Sequence, residues 1–198
     1  MEMFMIKQVA IGVLLSSTIM SAAVAEGFVA VGAGTASAKA DCTGWNTCKD
    51  SGSGYKLSGG YMFTDRMGVE AVYFNMGKVT ASGTRFYPGF GSSFTDTEIK
   101  TTGFGVGILG LLPLATEWSL SYRLGLLNAK SMIDVSTTNF GSASDSKSAS
   151  NIYLGIGGGY NVNSNITVAL EYDFFNATDV TDSKYTVSLT SLAARYRF

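Results

Sequence analysis

The stretch YTVSLTSLAARYRF, Tyr185–Phe198, determines how the rest of the chain is interpreted, because its side chains alternate between two kinds. In its second half one parity is apolar and the other carries two arginines: Leu192, Ala194, Tyr196 and Phe198 against Ser191, Ala193, Arg195 and Arg197. A period of two residues predicts a β-strand with one apolar and one polar face. Val187 and Leu189 break the pattern by sharing the parity of the arginines. A bulge, or emergence of the strand above an apolar layer, would explain them.

Seven further segments alternate in the same way, at about 27–36, 55–63, 68–78, 98–111, 118–132, 148–162 and 166–175. Their connections alternate in length: 37–54, 79–97, 133–147 and 176–184 are long and polar, whereas 64–67, 112–117 and 163–165 are short. An up-and-down meander places all the long connections at one end. Outer-membrane barrels have short periplasmic turns and longer extracellular loops.

The sequence therefore predicts an all-β fold, an eight-stranded antiparallel up-and-down transmembrane β-barrel with its apolar face toward lipid. Each clear alternating segment is long enough for a tilted strand to cross a bilayer. A soluble lipocalin-like barrel is the structural alternative, since it would hold its apolar face inside. Periodicity alone leaves that alternative open.

Residues 1–25 are predicted to be a signal peptide, which leaves 26–198 as the barrel domain. Lys7 provides a basic start, Val9–Met20 is apolar, and Ala23–Ala25 forms an A-x-A cleavage site. The apolar run is shorter than the ~20 residues that a membrane-spanning helix needs. Because export reaches compartments that permit disulfides, the two cysteines, Cys42 and Cys48, are predicted to form a small loop bridge.

Composition argues against catalysis, cofactors and nucleic acid. The formal net charge is −1, so no basic field calls for a nucleic-acid partner, and the chain contains no histidine. The absence of histidine removes Ser-His and Cys-His nucleophilic pairs and histidine metal ligation. The stretch Gly105–Gly110 fits G-x-G-x-x-G, but Pro113 follows at once and no helix does, so these glycines are interpreted as inward-facing residues of a narrow barrel. We expect neither an enzyme nor a cofactor.

The predicted inner face carries three acids and four bases: Lys56, Glu70, Arg123, Glu171, Asp173, Arg195 and Arg197. An eight-stranded barrel is only wide enough for side chains to fill it, so near-balance predicts a salt-bridge network in the lumen. The alternative is an acid/base pair drawn from Glu70, Glu171 and Asp173. The bases on the same face favour the network.

Aromatic residues collect near the ends of the predicted strands, which is expected of girdles at the two membrane interfaces. The short-turn set is Tyr61, Phe63, Trp118, Tyr160, Tyr196 and Phe198, and the long-loop set is Tyr55, Tyr73, Phe74, Phe174, Phe175 and Tyr185.

Two stretches resemble the OmpA-like outer-membrane barrel family. Tyr55–Lys78, YKLSGGYMFTDRMGVEAVYFNMGK, is similar to the second hairpin of these barrels, and Ala194–Phe198 looks like their C-terminal strand. The resemblance implies a Gram-negative outer-membrane barrel whose Tyr196 and Phe198 form the signal that the barrel-assembly machinery reads. Known members often carry a peptidoglycan-binding domain after the barrel, which this chain, ending at Phe198, is not expected to have.

The expected function is structural: a protein that contributes to envelope integrity and displays surface loops for interaction. A narrow porin or small-solute channel is the alternative. Barrel enzymes such as lipid A deacylases and outer-membrane proteases resemble this chain less, because they depend on a catalytic histidine. The expected partners are outer-membrane lipid, the assembly machinery, and ligands on host or other surfaces, for which the loop residues Arg85, Phe86, Tyr87 and Phe90 are the most adhesive cluster.

Deleting Phe198 is expected to lower the amount of protein in the outer membrane more than it lowers any loop-mediated binding, because the deletion removes the end of the assembly signal. Quantitative immunoblotting of isolated outer membranes measures this amount. Normal outer-membrane levels of the truncated protein would contradict the assignment.

Overall fold

The computed structural model describes residues 26–38, 45–89, 91–138, 141–178 and 183–198. Its strands are β1 Glu26–Ala38, β2 Thr47–Lys49, β3 Ser51–Met62, β4 Met67–Tyr87, β5 Gly91–Pro113, β6 Trp118–Thr137, β7 Gly141–Asn161, β8 Ile166–Thr178 and β9 Lys184–Arg197. Within these ranges there is no helix with the length and apolar character to span a membrane. The predicted signal peptide lies outside the described residues.

Eight of the strands close into a ring. Neighbouring strands pair in the order β4, β3, β1, β9, β8, β7, β6 and β5, and a pairing of β4 with β5 completes the circle. Every pairing is antiparallel, and the short β2 adds to the upper part of β4 through Thr47–Lys49. The predicted eight-stranded up-and-down β-barrel is confirmed.

The two faces of the ring follow the alternation of the sequence. On β9, Leu192 and Phe198 are 64% and 68% exposed on the outside, whereas Arg195 and Leu189 are buried on the inside. On β6, Leu124 and Leu126 face outward and Arg123 faces inward. Closure gives each of the eight strands of the ring a partner on both sides, which is the condition for a sheet to cross a bilayer.

The short connections are stabilised by their own side chains. Thr64 Oγ1 accepts hydrogen bonds from the backbone N–H groups of Arg66 and Met67, at 3.3 and 3.0 Å. Asn163 Oδ1 accepts from Asn165 N and Ile166 N, at 2.9 and 2.8 Å. Threonine and asparagine form such turns because a short polar side chain reaches the backbone two or three residues on.

Strands β4, β5, β6 and β7 extend further toward the long connections than the sequence predicts. Much of 79–97 and 133–147, expected to be loop, continues β4, β5, β6 and β7 as a paired four-stranded sheet above the apolar belt. We name this sheet, formed by residues 78–87, 91–100, 130–137 and 141–148, the upper wall. Both of its faces carry polar residues, so apolar alternation disappears while the backbone pairing continues. The alternation therefore marks the part of a strand that lies in lipid rather than the whole strand.

A β-bulge sets the register of β4. Its pairing with β5 shifts between Asn75 and Lys78, and Gly77 lies there with φ of 65°. Asn75 Oδ1 accepts a hydrogen bond from Gly77 N at 2.9 Å. Below the bulge the even-numbered residues point inward, and above it Val79 does. Glycine is required here because the left-handed conformation disfavours other residues.

The predicted girdle near the long connections is partly wrong. Phe74 and Phe175 are 0% and 2% exposed, and both lie inside the barrel, as does the half-buried Tyr185. Tyr73 and Phe174, their neighbours in sequence, have the outward parity. Parity, rather than position near a strand end, decides which aromatic residues meet lipid.

Val187 and Leu189 also lie inside the barrel, at 1% and 0% exposure. β9 pairs with β1 and with β8 in one unbroken register, so the suggested bulge is wrong. These two residues are inward-facing members of an apolar layer within the lumen.

Replacing Gly157 with valine is expected to destabilise the barrel by about 1–3 kcal/mol through overpacking. A Cβ atom at Gly157 would lie 2.8 Å from Glu171 Cγ, 2.9 Å from Ser121 Oγ and 3.0 Å from the carbonyl oxygen of Leu170. Gly158→Val is the matched control, since a Cβ there meets nothing within 4 Å. Urea unfolding in lipid vesicles, followed by heat-modifiable gel migration, measures both variants. Equal stability of the two would contradict this account of the inward glycines.

Candidate functional site: the barrel lumen

Six charged side chains meet in the middle of the lumen, where each is at most 6% exposed. Three are bases and three are acids, so their formal charges cancel. β3, β6 and β9 supply the bases, and β4 and β8 supply the acids: Lys56, Arg123 and Arg195 with Glu70, Glu171 and Asp173. We name this group the lumen cluster.

Glu171 is the centre of the lumen cluster. Its Oε2 lies 2.7 Å from Lys56 Nζ, and its Oε1 is paired with Arg123 and lies 3.4 Å from Arg195 Nη2. Asp173, two residues along β8 on the same face, pairs with Lys56 and lies 3.6 Å from Arg123 Nη1. The spacing of two residues places both carboxylates inside the barrel, within reach of the same bases.

Glu70 joins the lumen cluster from the opposite wall. Arg123 Nε lies 3.3 Å from Glu70 Oε1, and the hydroxyl of Tyr153 donates to the same oxygen at 3.0 Å. The Arg195 guanidinium carbon lies 5.7 Å from the centre of the Phe28 ring, a distance that permits a cation–π contact. Five strands of the ring thus contribute charged side chains, and β7 and β1 contribute the aromatic side chains of Tyr153 and Phe28.

Two apolar layers enclose the lumen cluster. The layer nearer the short turns contains Phe28, Met62, Leu109 and Leu111. The layer nearer the upper wall is larger and consists of Ala36, Ala38, Val72, Phe74, Met76, Val79, Leu127, Ala129, Tyr153, Phe175, Ala177, Val187 and Leu189. Single strands show the same layering. On β4 the inward-facing residues that follow Glu70 are Val72 and Phe74, and on β8 the inward-facing residue that follows Asp173 is Phe175.

Arg197, the seventh predicted member, is not brought into this cluster. It is only half-buried, and its backbone N–H donates to Asn165 O at 2.8 Å while its carbonyl accepts from Asn165 Nδ2 at 2.9 Å. These contacts place Arg197 at the short-turn rim, beside the connection between β7 and β8. Without Arg197 the cluster is neutral, whereas the seven-residue set predicted from sequence had one excess base.

The geometry of the lumen cluster favours a structural role over acid/base catalysis. Each of the three carboxylates is ion-paired with at least one buried base. Burying an ion costs several kcal/mol, and only paired, hydrogen-bonded geometry offsets that cost. Within the described residues, His, Cys, Asp and Glu side chains form no group of three that could hold a metal ion.

The other predicted site residues lie away from the lumen. Cys48 is in β2 and Cys42 lies outside the described residues, so their bridge stays a prediction. Tyr196 and Phe198 face outward with their rings stacked at a centroid distance of 6.3 Å, and Phe198 N donates to Gly27 O at 3.0 Å. Their role in assembly also stays a prediction.

A second, exposed group of ion pairs crosses the outer face of the upper wall. Glu98 Oε1 lies 3.1 Å from Lys78 Nζ and 2.7 Å from Lys100 Nζ, and Lys100 Nζ lies 3.2 Å from Asp134 Oδ2. The hydrogen bond from Lys100 lowers the pKa of the Glu98 carboxyl. Because these side chains are solvated, the pairs contribute little to stability.

Sequence reasoning missed the apolar layers and Tyr153. The signal was available, because Phe74 has the parity of Glu70, and Phe175 has the parity of Glu171 and Asp173. A position near a strand end indicates the membrane interface only for aromatic residues that have the outward parity. Parity also places Tyr153 on the face of the inward glycines of β7.

The family model for the outer membrane protein beta-barrel domain matches residues 10–198. The chain belongs to this family. It is an outer-membrane protein, as predicted, and the resemblance to OmpA-like barrels is confirmed. A comparison with curated protein sequences found no significant match.

Several solved barrels share the fold. Ail, the attachment invasion locus protein of Yersinia pestis, solved in complex with the heparin analogue sucrose octasulfate, is 20% identical with a TM-score of 0.55, over 88% of this chain and 99% of Ail. Neisserial surface protein A is 14% identical with a TM-score of 0.59, over 87% and 97%. The N-terminal barrel of Pseudomonas aeruginosa OprF is 13% identical with a TM-score of 0.51, over 87% and 97%. At these identities the likeness supports the fold alone.

Replacing Lys56 with methionine is expected to cost about 3–5 kcal/mol of stability, because it leaves buried carboxylates without one of their bases. The double variant Lys56→Met with Asp173→Leu is expected to recover most of this loss, since two acids and two bases remain. Urea unfolding in lipid vesicles measures the free energies.

Lys49→Met, at an exposed lysine of β2, is the control for the loss of a positive charge. If the single and double variants lose the same stability, charge balance in the lumen is not what Lys56 provides.

Proposed function

We propose that this protein is a closed structural barrel of the outer membrane that contributes to envelope integrity and carries the upper wall as an interaction surface. The observation that carries the proposal is the neutral lumen cluster between two buried apolar layers. A continuous aqueous path would have to cross both layers and separate the ion pairs between them. This arrangement supports a closed lumen over the alternative of a narrow porin.

The upper wall supports the display role. Paired strands hold it above the apolar belt, so its residues are presented on a hydrogen-bonded sheet rather than on irregular loops. Phe86, at the end of the β4–β5 hairpin, is 72% exposed, so its ring is accessible to a partner. Phe90, another member of the predicted adhesive cluster, lies outside the described residues.

The ligand in the Ail structure is not the partner that we expect for this chain. Sucrose octasulfate is a polyanion, whereas the sequence of the upper wall mixes acids and bases in nearly equal number: Asp96, Glu98, Asp134 and Asp145 with Lys78, Arg85, Lys100, Lys130 and Lys147. The mixed charge supports a protein surface, rather than a sulfated polysaccharide, as the partner of the upper wall. Binding of purified protein to immobilised heparin tests this directly, and strong salt-sensitive retention would contradict it.

Planar-bilayer recording tests the closed lumen. The purified protein is expected to give no reproducible stepwise conductance, because ions would have to enter an apolar layer and break buried ion pairs. A porin with an open lumen, reconstituted by the same protocol, is the positive control, and heat-modifiable migration shows that the inserted protein is folded. A stable, reproducible open channel would overturn the structural proposal in favour of the narrow porin.

A further inference from the structure

The seam between β7 and β8 opens at the upper edge of the lipid-facing surface. These strands pair only from Asn161↔Thr167 to Tyr153↔Phe175. Above Tyr153, β7 continues along β6 as part of the upper wall, whereas β8 continues along β9 to Thr178. The ring therefore divides here, at the level where the apolar belt ends.

A groove of about 590 Å³ lies on the outer surface across β5, β6 and β7, and it reaches this seam at Asn176 of β8. Its apolar part is formed by side chains that remain largely exposed: Phe104 at 59%, Leu126 at 64% and Ile152 at 59%. Its polar part carries three carboxamides and a hydroxyl, those of Asn128, Asn151, Asn176 and Ser150. The groove is thus continuous with the lipid-facing belt and becomes polar toward the upper wall.

An exposed cation stands directly above the groove. Leu126, Asn128 and Lys130 follow one another on the outer face of β6, so the surface passes from apolar to amide to positive charge within five residues of the chain. Lys130 is exposed and forms no ion pair with any residue that the structure describes. Lys100, on the neighbouring strand, is instead engaged by Glu98 and Asp134 at 2.7 and 3.2 Å.

The outer face of β7 beside Lys130 is a row of exposed hydroxyls, Ser142, Ser144, Ser146 and Ser148. A flat row of hydroxyls offers donors and acceptors to a saccharide, which has the same kind of groups. The order from apolar groove through carboxamides to cation and hydroxyls matches the order of chemical groups in a phosphorylated glycolipid.

We propose that this seam binds a phosphorylated glycolipid of the outer leaflet. An acyl chain would lie over Phe104, Leu126 and Ile152, the carboxamides would face its ester or amide linkage, and Lys130 would face a phosphate. The hydroxyl row favours a sugar headgroup over the smaller headgroup of a phospholipid. Continuity with the lipid belt and the free charge of Lys130 favour a lipid over a soluble ligand.

Native mass spectrometry of the full protein purified in detergent tests the proposal, with diphosphorylated lipid A and phosphatidylglycerol as the two probes. Wild-type protein is expected to retain lipid A in preference to phosphatidylglycerol. Lys130→Glu is expected to weaken lipid A binding about tenfold, since a surface lysine contributes appreciably to the attraction of anionic lipids and this variant reverses its charge.

Lys49→Glu, at an exposed lysine of β2 on the other side of β4, is the matched control and is expected to bind as the wild type does. Heat-modifiable migration verifies that each variant is folded, and Lys130→Gln replaces Lys130→Glu if the latter fails to fold. Equal binding by the Lys130 and Lys49 variants, equal retention of the two lipids by the wild type, or no retained lipid would each overturn the proposal.

Discussion

The pairing of buried charge within the lumen is the constraint on which the rest of this barrel depends. Six ionisable side chains are removed from water in a space that eight strands make narrow, and desolvation costs several kcal/mol for each one that is charged. Glu171 offsets much of its cost by contacting three bases, Lys56, Arg123 and Arg195. The loss of any one partner would leave the cluster with an excess charge that no solvent compensates.

The remainder of the lumen accommodates this cluster. Gly155 and Gly157 provide the room for Asp173 and Glu171, since a side chain at either glycine would enter the space that those carboxylates occupy. Phe74 and Phe175 pack above, with ring centroids 5.7 Å apart, and Phe28 lies below. The apolar layers lower the local dielectric and so strengthen the ion pairs that they enclose. Small residues, charges and aromatic residues on the inner face are therefore one packing solution.

The sequence was sufficient to predict the closed ring and the identity of its inner charges, because a period of two residues specifies which side chains share a face. Arg195, Glu171 and Asp173 could each be placed inside the barrel from parity alone. The contacts among them could not be predicted, since they depend on the stagger of eight strands around the ring, which local periodicity does not contain. Arg197 illustrates this, because it has the correct parity but lies too near the strand end to reach the lumen cluster.

The extent of β4, β5, β6 and β7 was also beyond the sequence pattern. Apolar alternation ends where lipid ends, while backbone hydrogen bonding continues, so the upper wall resembled loop. The bulge at Gly77 also hid the continuation of β4 from the sequence pattern, because it exchanges the inward and outward parities of that strand. Asn75 and Gly77 together could have indicated it, as glycine at a break in alternation is typical of bulges.

Hydrogen exchange of the Arg123 guanidinium, measured by NMR with the barrel in lipid nanodiscs, tests the enclosed lumen cluster most directly. Arg66, exposed in the turn between β3 and β4, is the internal reference. The Arg123 protons are expected to exchange far more slowly than those of Arg66, because ion pairing and two apolar layers keep water away. Comparable exchange rates at the two arginines would contradict this expectation, since they would show that water reaches the middle of the barrel freely.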